Sequence, residues 1–198
     1  MKLAVDVVLL PPEKIMDFAI SINKKINNKN NEIILSKKDC LPHISLNMGV
    51  AEEADIEKIK NQLENLELKP LRLEIVEMRS SIHKSGRTCL TLAVKHSPEL
   101  QKLHEEVMHR LKGLVIHGYA GDDVTLLESK ENYPVTKEWV KNYGIRDAYE
   151  HFYPHITIGF GEPMEIKLPV RFTASTLALC HLGNYCTCRK VLWKKTLT

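Results

Sequence analysis

The chain writes one strand twice. "PHISLNMG" begins at Pro42 and "PHITIGFG" at Pro154, and the two align without a gap: His43 with His155, Ile44 with Ile156, Ser45 with Thr157, Leu46 with Ile158, Gly49 with Gly161. Side chains alternate along a strand, so His43 and Ser45 share one face while Ile44 and Leu46 take the other. The second copy repeats the division, with His155 and Thr157 opposite Ile156 and Ile158. The apolar faces suit a core. The polar faces each present an imidazole and a hydroxyl, about 7 Å apart at Cα. A fold that buries both apolar faces together can set two histidines and two hydroxyls across one cleft.

The surrounding pattern fits such a pairing. Residues 2–10 read as a strand, and Pro11 and Pro12 stop it, with Pro12 suited to a helix's first turn. Ile15, Phe18, Ile22 and Ile26 then recur at helical spacing until the asparagine-rich run from Asn27. A strand near 32–35, the first motif strand at 43–48, and a helix from about Glu52 follow. Residues 71–82 and 87–95 form a hairpin about "HKSG". Ser97-Pro98-Glu99 is a helix start: a capping serine, a first-turn proline and an acid at the positive end. Residues 118–134 read mostly as loop. A short helix near Lys137–Tyr143, the second motif strand at 155–160, and a hairpin of 170–182 with 185–196 complete the chain. Each motif is followed at a distance by a hairpin, as after an imperfect duplication. The expected class is α+β, bilobal and pseudo-two-fold, with largely antiparallel sheets, outer helices and a central cleft, in one domain of two interleaved lobes over 1–198.

Composition narrows the function. The chain has 198 residues, 43% hydrophobic and 27% charged, with a net charge of +3. That mild excess permits contact with phosphates but is not the basic stripe of a duplex binder. No apolar run is long enough for a membrane helix, and the start of the chain reads as a buried strand interrupted by Asp6, not a signal peptide. Five cysteines, an odd number, favour reduced thiols and a cytoplasmic location.

Imidazole titrates near neutrality, so one histidine can take a proton from a nucleophile while the other gives one to a leaving oxygen. The Ser45 and Thr157 hydroxyls can hydrogen-bond non-bridging phosphate oxygens. No metal is required by this scheme. A single H-x-[S/T] carries little information: His83-Lys84-Ser85 matches it in a hairpin turn, with lysine where the motif has an apolar residue, and is read as incidental.

The paired motifs resemble the two H-x-[S/T]-x motifs of the 2H phosphoesterase superfamily, which includes 2′-5′ RNA ligase-like proteins and cyclic nucleotide phosphodiesterases. Their separation and the chain's length agree too. The resemblance implies a bilobal fold with a central cleft, and metal-independent hydrolysis of 2′,3′-cyclic phosphates of nucleotides or RNA ends. It carries His43, Ser45, His155 and Thr157 over as catalytic positions, with no cofactor. The partner would be a nucleotide or RNA bearing a 2′,3′-cyclic phosphate or a 2′-5′ linkage, with no membrane; the oligomeric state is left open, with a monomer favoured. The alternatives are 2′-5′ RNA ligation or end processing, and a non-catalytic RNA- or nucleotide-binding module.

Other residues carry weaker signals. Arg79 and Arg87, with Lys84 and Arg189, are candidates to reach a phosphate. Tyr153 and Tyr185, with Tyr133 and Phe152, are candidates to stack a base. Cys180, His181, Cys186 and Cys188 cluster, but without a zinc-site spacing, and read as ordinary buried thiols. His104 and His109 are expected at a helix flank or surface. Asp122-Asp123 and Glu105-Glu106 read as solvated pairs.

Overall fold

The computed structural model describes residues 1–26, 32–67, 69–127 and 134–197. The run from Asn27, Tyr133 and residues 128–133 of the irregular segment lie outside the described residues. The elements are β1 (Lys2–Leu10), α1 (Glu13–Ile26), β2 (Ile44–Glu52), α2 (Ile56–Glu64), β3 (Leu71–Ile82), β4 (Thr88–Val94), α3 (Pro98–Arg110), β5 (Val124–Thr125), α4 (Pro134–Arg146), β6 (His155–Phe160), β7 (Val170–Ala174), β8 (Thr176–Leu182) and β9 (Cys188–Thr196).

The strands form two sheets. One runs β2-β1-β8-β9, with β5 pairing parallel to the start of β1, and the other runs β6-β4-β3-β7. Apart from β5, every pairing is antiparallel. The two orders match position by position. A motif strand lies at each edge, beside the strand that precedes its helix, so β1-α1-β2 corresponds to β4-α3-β6. The helices, however, pack crosswise: α1 leaves the first sheet and lies against β6 of the second, while α3 leaves the second and lies against β2 of the first. The main core accordingly joins Val5, Val7, Leu9, Ile44 and Leu46 to Leu90, Leu92, Ile156 and Ile158.

The α3 start is built as the sequence implies. Ser97 is extended, and its hydroxyl accepts from the Leu100 N–H at 3.2 Å. Ser97→Ala is expected to cost about 1 kcal/mol in urea unfolding, the usual loss of a serine cap.

Four expectations are corrected. Residues 32–35 form no strand: Asn23 of α1 takes their polar groups, donating to the Ile33 carbonyl at 2.8 Å and accepting from the Leu35 N–H at 3.0 Å. Residues 170–182 are two strands in different sheets, since the chain crosses at Ser175 from β3's partner β7 to β1's partner β8. The α4 helix is longer than 137–143. Finally, Cys180 and Cys188 are not free thiols but a disulfide across the β8–β9 hairpin, with Cα atoms 5.6 Å apart, inside the range such a bridge needs. Cys89 and Cys186 are free thiols. Among the described residues, no helix is long and apolar enough to cross a membrane.

Candidate active site

Both motif strands carry a bulge at the same motif position. In β1–β2 the pairing steps from Val7↔Asn47 to Val8↔Ser45 and skips Leu46. In β4–β6 it steps from Leu90↔Gly159 to Thr91↔Thr157 and skips Ile158. Gly159 follows the second bulge with a φ of 130°, where glycine escapes the Cβ penalty. The extra residue resets the alternation. Residues 43, 45 and 48 of one copy, and 155, 157 and 160 of the other, line a single cavity of about 430 Å³ between the sheets. Simple alternation would have placed 47 and 159 there instead.

A bulge leaves a carbonyl without its ladder partner. Here each is met by a fully buried side chain from the crossed helix. His104 Nδ1–H of α3 donates to the Leu46 carbonyl at 2.7 Å, and Asn23 Nδ2 of α1 donates to the Ile158 carbonyl at 2.7 Å. His104 also accepts from the Tyr149 N–H at 2.8 Å and stacks on Phe152 with centroids 4.1 Å apart. Its expected place at the helix flank or surface is thus wrong: it is fully buried and belongs to the support of the first motif. His109 is exposed, as expected. The motif glycines are close-approach positions. A Cβ on Gly49 would lie 2.6 Å from Val115 Cγ1, and one on Gly161 would lie 2.8 Å from the Ile26 carbonyl oxygen.

The histidines are held alike. His43 Nδ1–H donates to the Leu41 carbonyl at 2.7 Å, and His155 Nδ1–H donates to the Tyr153 carbonyl at 2.8 Å. In each case the partner is two residues back, across the motif proline. This fixes both rings in one tautomer, with Nε2 the free base. Neither ring is sealed in the core; the His43 side chain keeps 12% exposure. Burial pushes His43 down to about 4, against its carbonyl bond and with the charge of nearby His155 adding to the fall. Burial also lowers His155, but there the Tyr153 carbonyl and the Asp147 carboxylate oppose it.

Two acids of the site escaped sequence reasoning. Asp6 lies fully buried on β1, hydrogen-bonded through Oδ2 to Ser45 Oγ at 2.6 Å and 3.9 Å from His43 Nε2. Burial raises it to about 8, against the Ser45 and Asn47 hydrogen bonds. Asp147 lines the cavity beyond α4 and is also raised by burial. An acid within the apolar run of β1 was the available signal.

The remaining candidates divide. Arg79 lines the cavity, bonds Glu77 at 2.6 Å and lies 5.0 Å over the Tyr153 ring. Tyr153 lies nearly parallel to His155 at 5.2 Å, so it supports that ring. Tyr185 and Phe152 also line the cavity. Arg87 does not; it bonds the Tyr185 hydroxyl at 2.9 Å and covers Phe160 at 3.9 Å. Lys84 bonds Glu138, and Arg189 bonds Thr187 Oγ1 at 2.9 Å. The third H-x-S stays out of the cavity, with His83 Nδ1 and Ser85 Oγ bonded at 2.8 Å behind Trp139, Phe160 and Tyr185. Asp122 meets Lys137 at 3.1 Å and Asp123 meets Lys2 at 2.7 Å. Among the described residues no group of three or more His, Cys, Asp or Glu is arranged to hold a metal ion.

No protein-family model and no curated protein matches the sequence. Solved structures do match in fold. E. coli LigT complexed with NADP+ superposes with a TM-score of 0.59 at 13% identity, covering 100% of this chain and 99% of that one. A structure described as a phosphoesterase gives 0.60 at 12%, with 100% and 99% covered. TT0787 of Thermus thermophilus gives 0.56 at 15%, with 98% and 97% covered. From end to end, therefore, the chain has the fold of the LigT and phosphoesterase structures, two matched sheets with a motif strand at the edge of each.

Proposed function

We propose that this chain is a phosphoesterase that hydrolyses 2′,3′-cyclic phosphates of nucleotides or RNA ends without a metal, with His43, Ser45, His155 and Thr157 as its catalytic residues. The observation that carries the reading is the shared cavity: two histidines from distant parts of the chain, each with Nδ1 tied back and Nε2 free, open on one space with two hydroxyls. Other structures of E. coli LigT are complexed with phosphate and with 3′-AMP, which supports a nucleotide-sized phosphate ligand for this cavity.

The surroundings favour different roles for the two rings, although burial lowers both. Asp147 favours a proton on His155, whereas burial takes His43 down to about 4. His43 Nε2 is then the base that takes a proton from water as its oxygen attacks phosphorus. His155 Nε2–H gives a proton to the ribose oxygen as the ring P–O bond breaks. Ser45 and Thr157 bind the non-bridging oxygens, where charge builds. The four groups require no cofactor.

The test is a panel of 2′,3′-cyclic nucleotides, cyclic-phosphate-ended RNA and 2′-5′ dinucleotides, incubated with chelator. Net hydrolysis of the cyclic phosphates is expected. Joined product without net hydrolysis would assign ligation instead, and turnover lost to chelator would remove the metal-free scheme. The pH profile adds a second check. The active free protein has one ring neutral and one protonated, and both pKa values lie below the ordinary 6.5. Above that range the acid is lost, and near the bottom the base is. kcat/KM is therefore bell-shaped with its maximum on the acid side of neutral, and kcat peaks at higher pH because a bound phosphate favours imidazolium. A profile flat from about pH 5 to about pH 9, with chemistry limiting, would contradict it.

A further inference from the structure

Among the described residues, Asp6 has no cation within hydrogen-bond reach to balance it. The nearest basic atom the structure gives it is His43 Nε2, at 3.9 Å. Its Oδ1 is buried with no hydrogen-bond partner. The titratable groups that face it are His43 and Ser45 from the first motif, Tyr143 of α4, Asp147 beyond it, and Cys186 before β9. Burial, with the negative charges of Asp6 and Asp147, raises Tyr143 and Cys186 well above their ordinary range, so both are neutral, and the buried Tyr143 hydroxyl makes no hydrogen bond; besides Ser45, only the Asn47 backbone N–H among the described residues reaches the carboxyl. A lone buried carboxylate is costly, and a neutral carboxyl is not.

The state of Asp6 decides what Ser45 can do. A hydroxyl has one proton. If Asp6 is ionised, Ser45 spends that proton on Oδ2 and has none for a ligand. If Asp6 is protonated, it donates to Ser45 Oγ, and the serine proton is free to turn into the cavity. We infer that Asp6 is a positioning residue that stays protonated, donates to Ser45 Oγ across 2.6 Å, and thereby aims the Ser45 hydroxyl at a phosphate oxygen. The raised carboxyl, at about 8, agrees. This rests on the reading of Ser45 as a phosphate ligand.

Position 6 also marks where the two halves differ. Asp6 pairs with Met48 and lies two residues before Val8, which pairs with Ser45; the matching residue in the other half is Cys89, opposite Phe160 and two before Thr91, which pairs with Thr157. The device serves the first motif alone.

The test is binding of inorganic sulfate by calorimetry, since the charge of sulfate does not change over the range used. Wild type is expected to bind about tenfold more weakly at about pH 9 than at about pH 6.5, as the hydrogen bond to a charged ligand is lost. A bound anion favours imidazolium, so the cavity histidines contribute an alkaline loss that all three proteins share. Asp6→Asn keeps a donor that cannot ionise, so it shows that shared loss alone. Ser45→Ala binds weakly at both pH values and also shows the shared loss alone. Melting curves check that each variant folds. A loss in Asp6→Asn as large as that of wild type overturns the inference. So does one in Ser45→Ala, which would assign the effect to charge repulsion. Wild-type binding with no alkaline loss sinks this inference alone, and no binding at about pH 6.5 sinks the phosphate-site reading with it.

Discussion

Replacing either His43 or His155 by alanine is expected to lower hydrolysis of a 2′,3′-cyclic nucleotide by at least about a thousandfold, with folding retained. General acid or base catalysis by one group supplies about 10²- to 10⁴-fold. The two rings act on one phosphorus in one step, so removing either disables the step. The losses should not add, and the double variant should be little worse than either single one. Stability is spared because both rings lie at the cavity wall. Each variant should therefore melt near wild type and still bind a nucleotide. Unchanged turnover in either variant would remove the enzyme reading.

The second large effect is on stability. Asn23→Ala and His104→Leu are each expected to destabilise the protein by about 2–4 kcal/mol in urea unfolding. Each strands a buried bulge carbonyl together with at least one other backbone group, and an unsatisfied buried polar group costs about 1–3 kcal/mol. Asn23 leaves three such groups behind, at Ile33, Leu35 and Ile158, and His104 leaves two, at Leu46 and Tyr149. The crossed helices give the pair a further signature. Asn23 follows the first sheet in the chain yet supports the second motif, so its loss should perturb the ring resonances of His155 more than those of His43. His104→Leu should do the reverse. Equal shifts at both rings, or destabilisation below about 1 kcal/mol, would contradict this account of the bulges.

The repeat made the four motif side chains and their common face legible, because a strand's period of two is local. The Ser97 cap and the 71–95 hairpin were legible for the same reason. The bulges were not. An extra residue shows in sequence only against a known partner strand, and neither β1 nor β4 declares its register. Asp6 was seen, but as a break in an apolar run; the strand is buried along nearly its whole length, so no alternation marked the side that faces the cavity. His104 sits on a helix whose apolar positions already account for a buried face. Only the carbonyl it meets, 58 residues earlier, explains its burial. The crossing at Ser175 has neither proline nor glycine to announce it. The pairing of Cys180 with Cys188 depends on hairpin register, which cysteine spacing does not specify.

The exchange of α1 and α3 between sheets bears on what the ancestor of such a chain had to be. A polypeptide of half this length, with one four-stranded sheet, one motif and a helix like α1 or α3, would leave its own sheet bare, because its helix is committed elsewhere. Two identical copies, each lending its helix to the other, would cover both sheets and face their histidines across the seam. An end-to-end fusion of two such genes would free the halves to diverge, and Asp6 in one half where the other has Cys89 is the kind of difference it would leave.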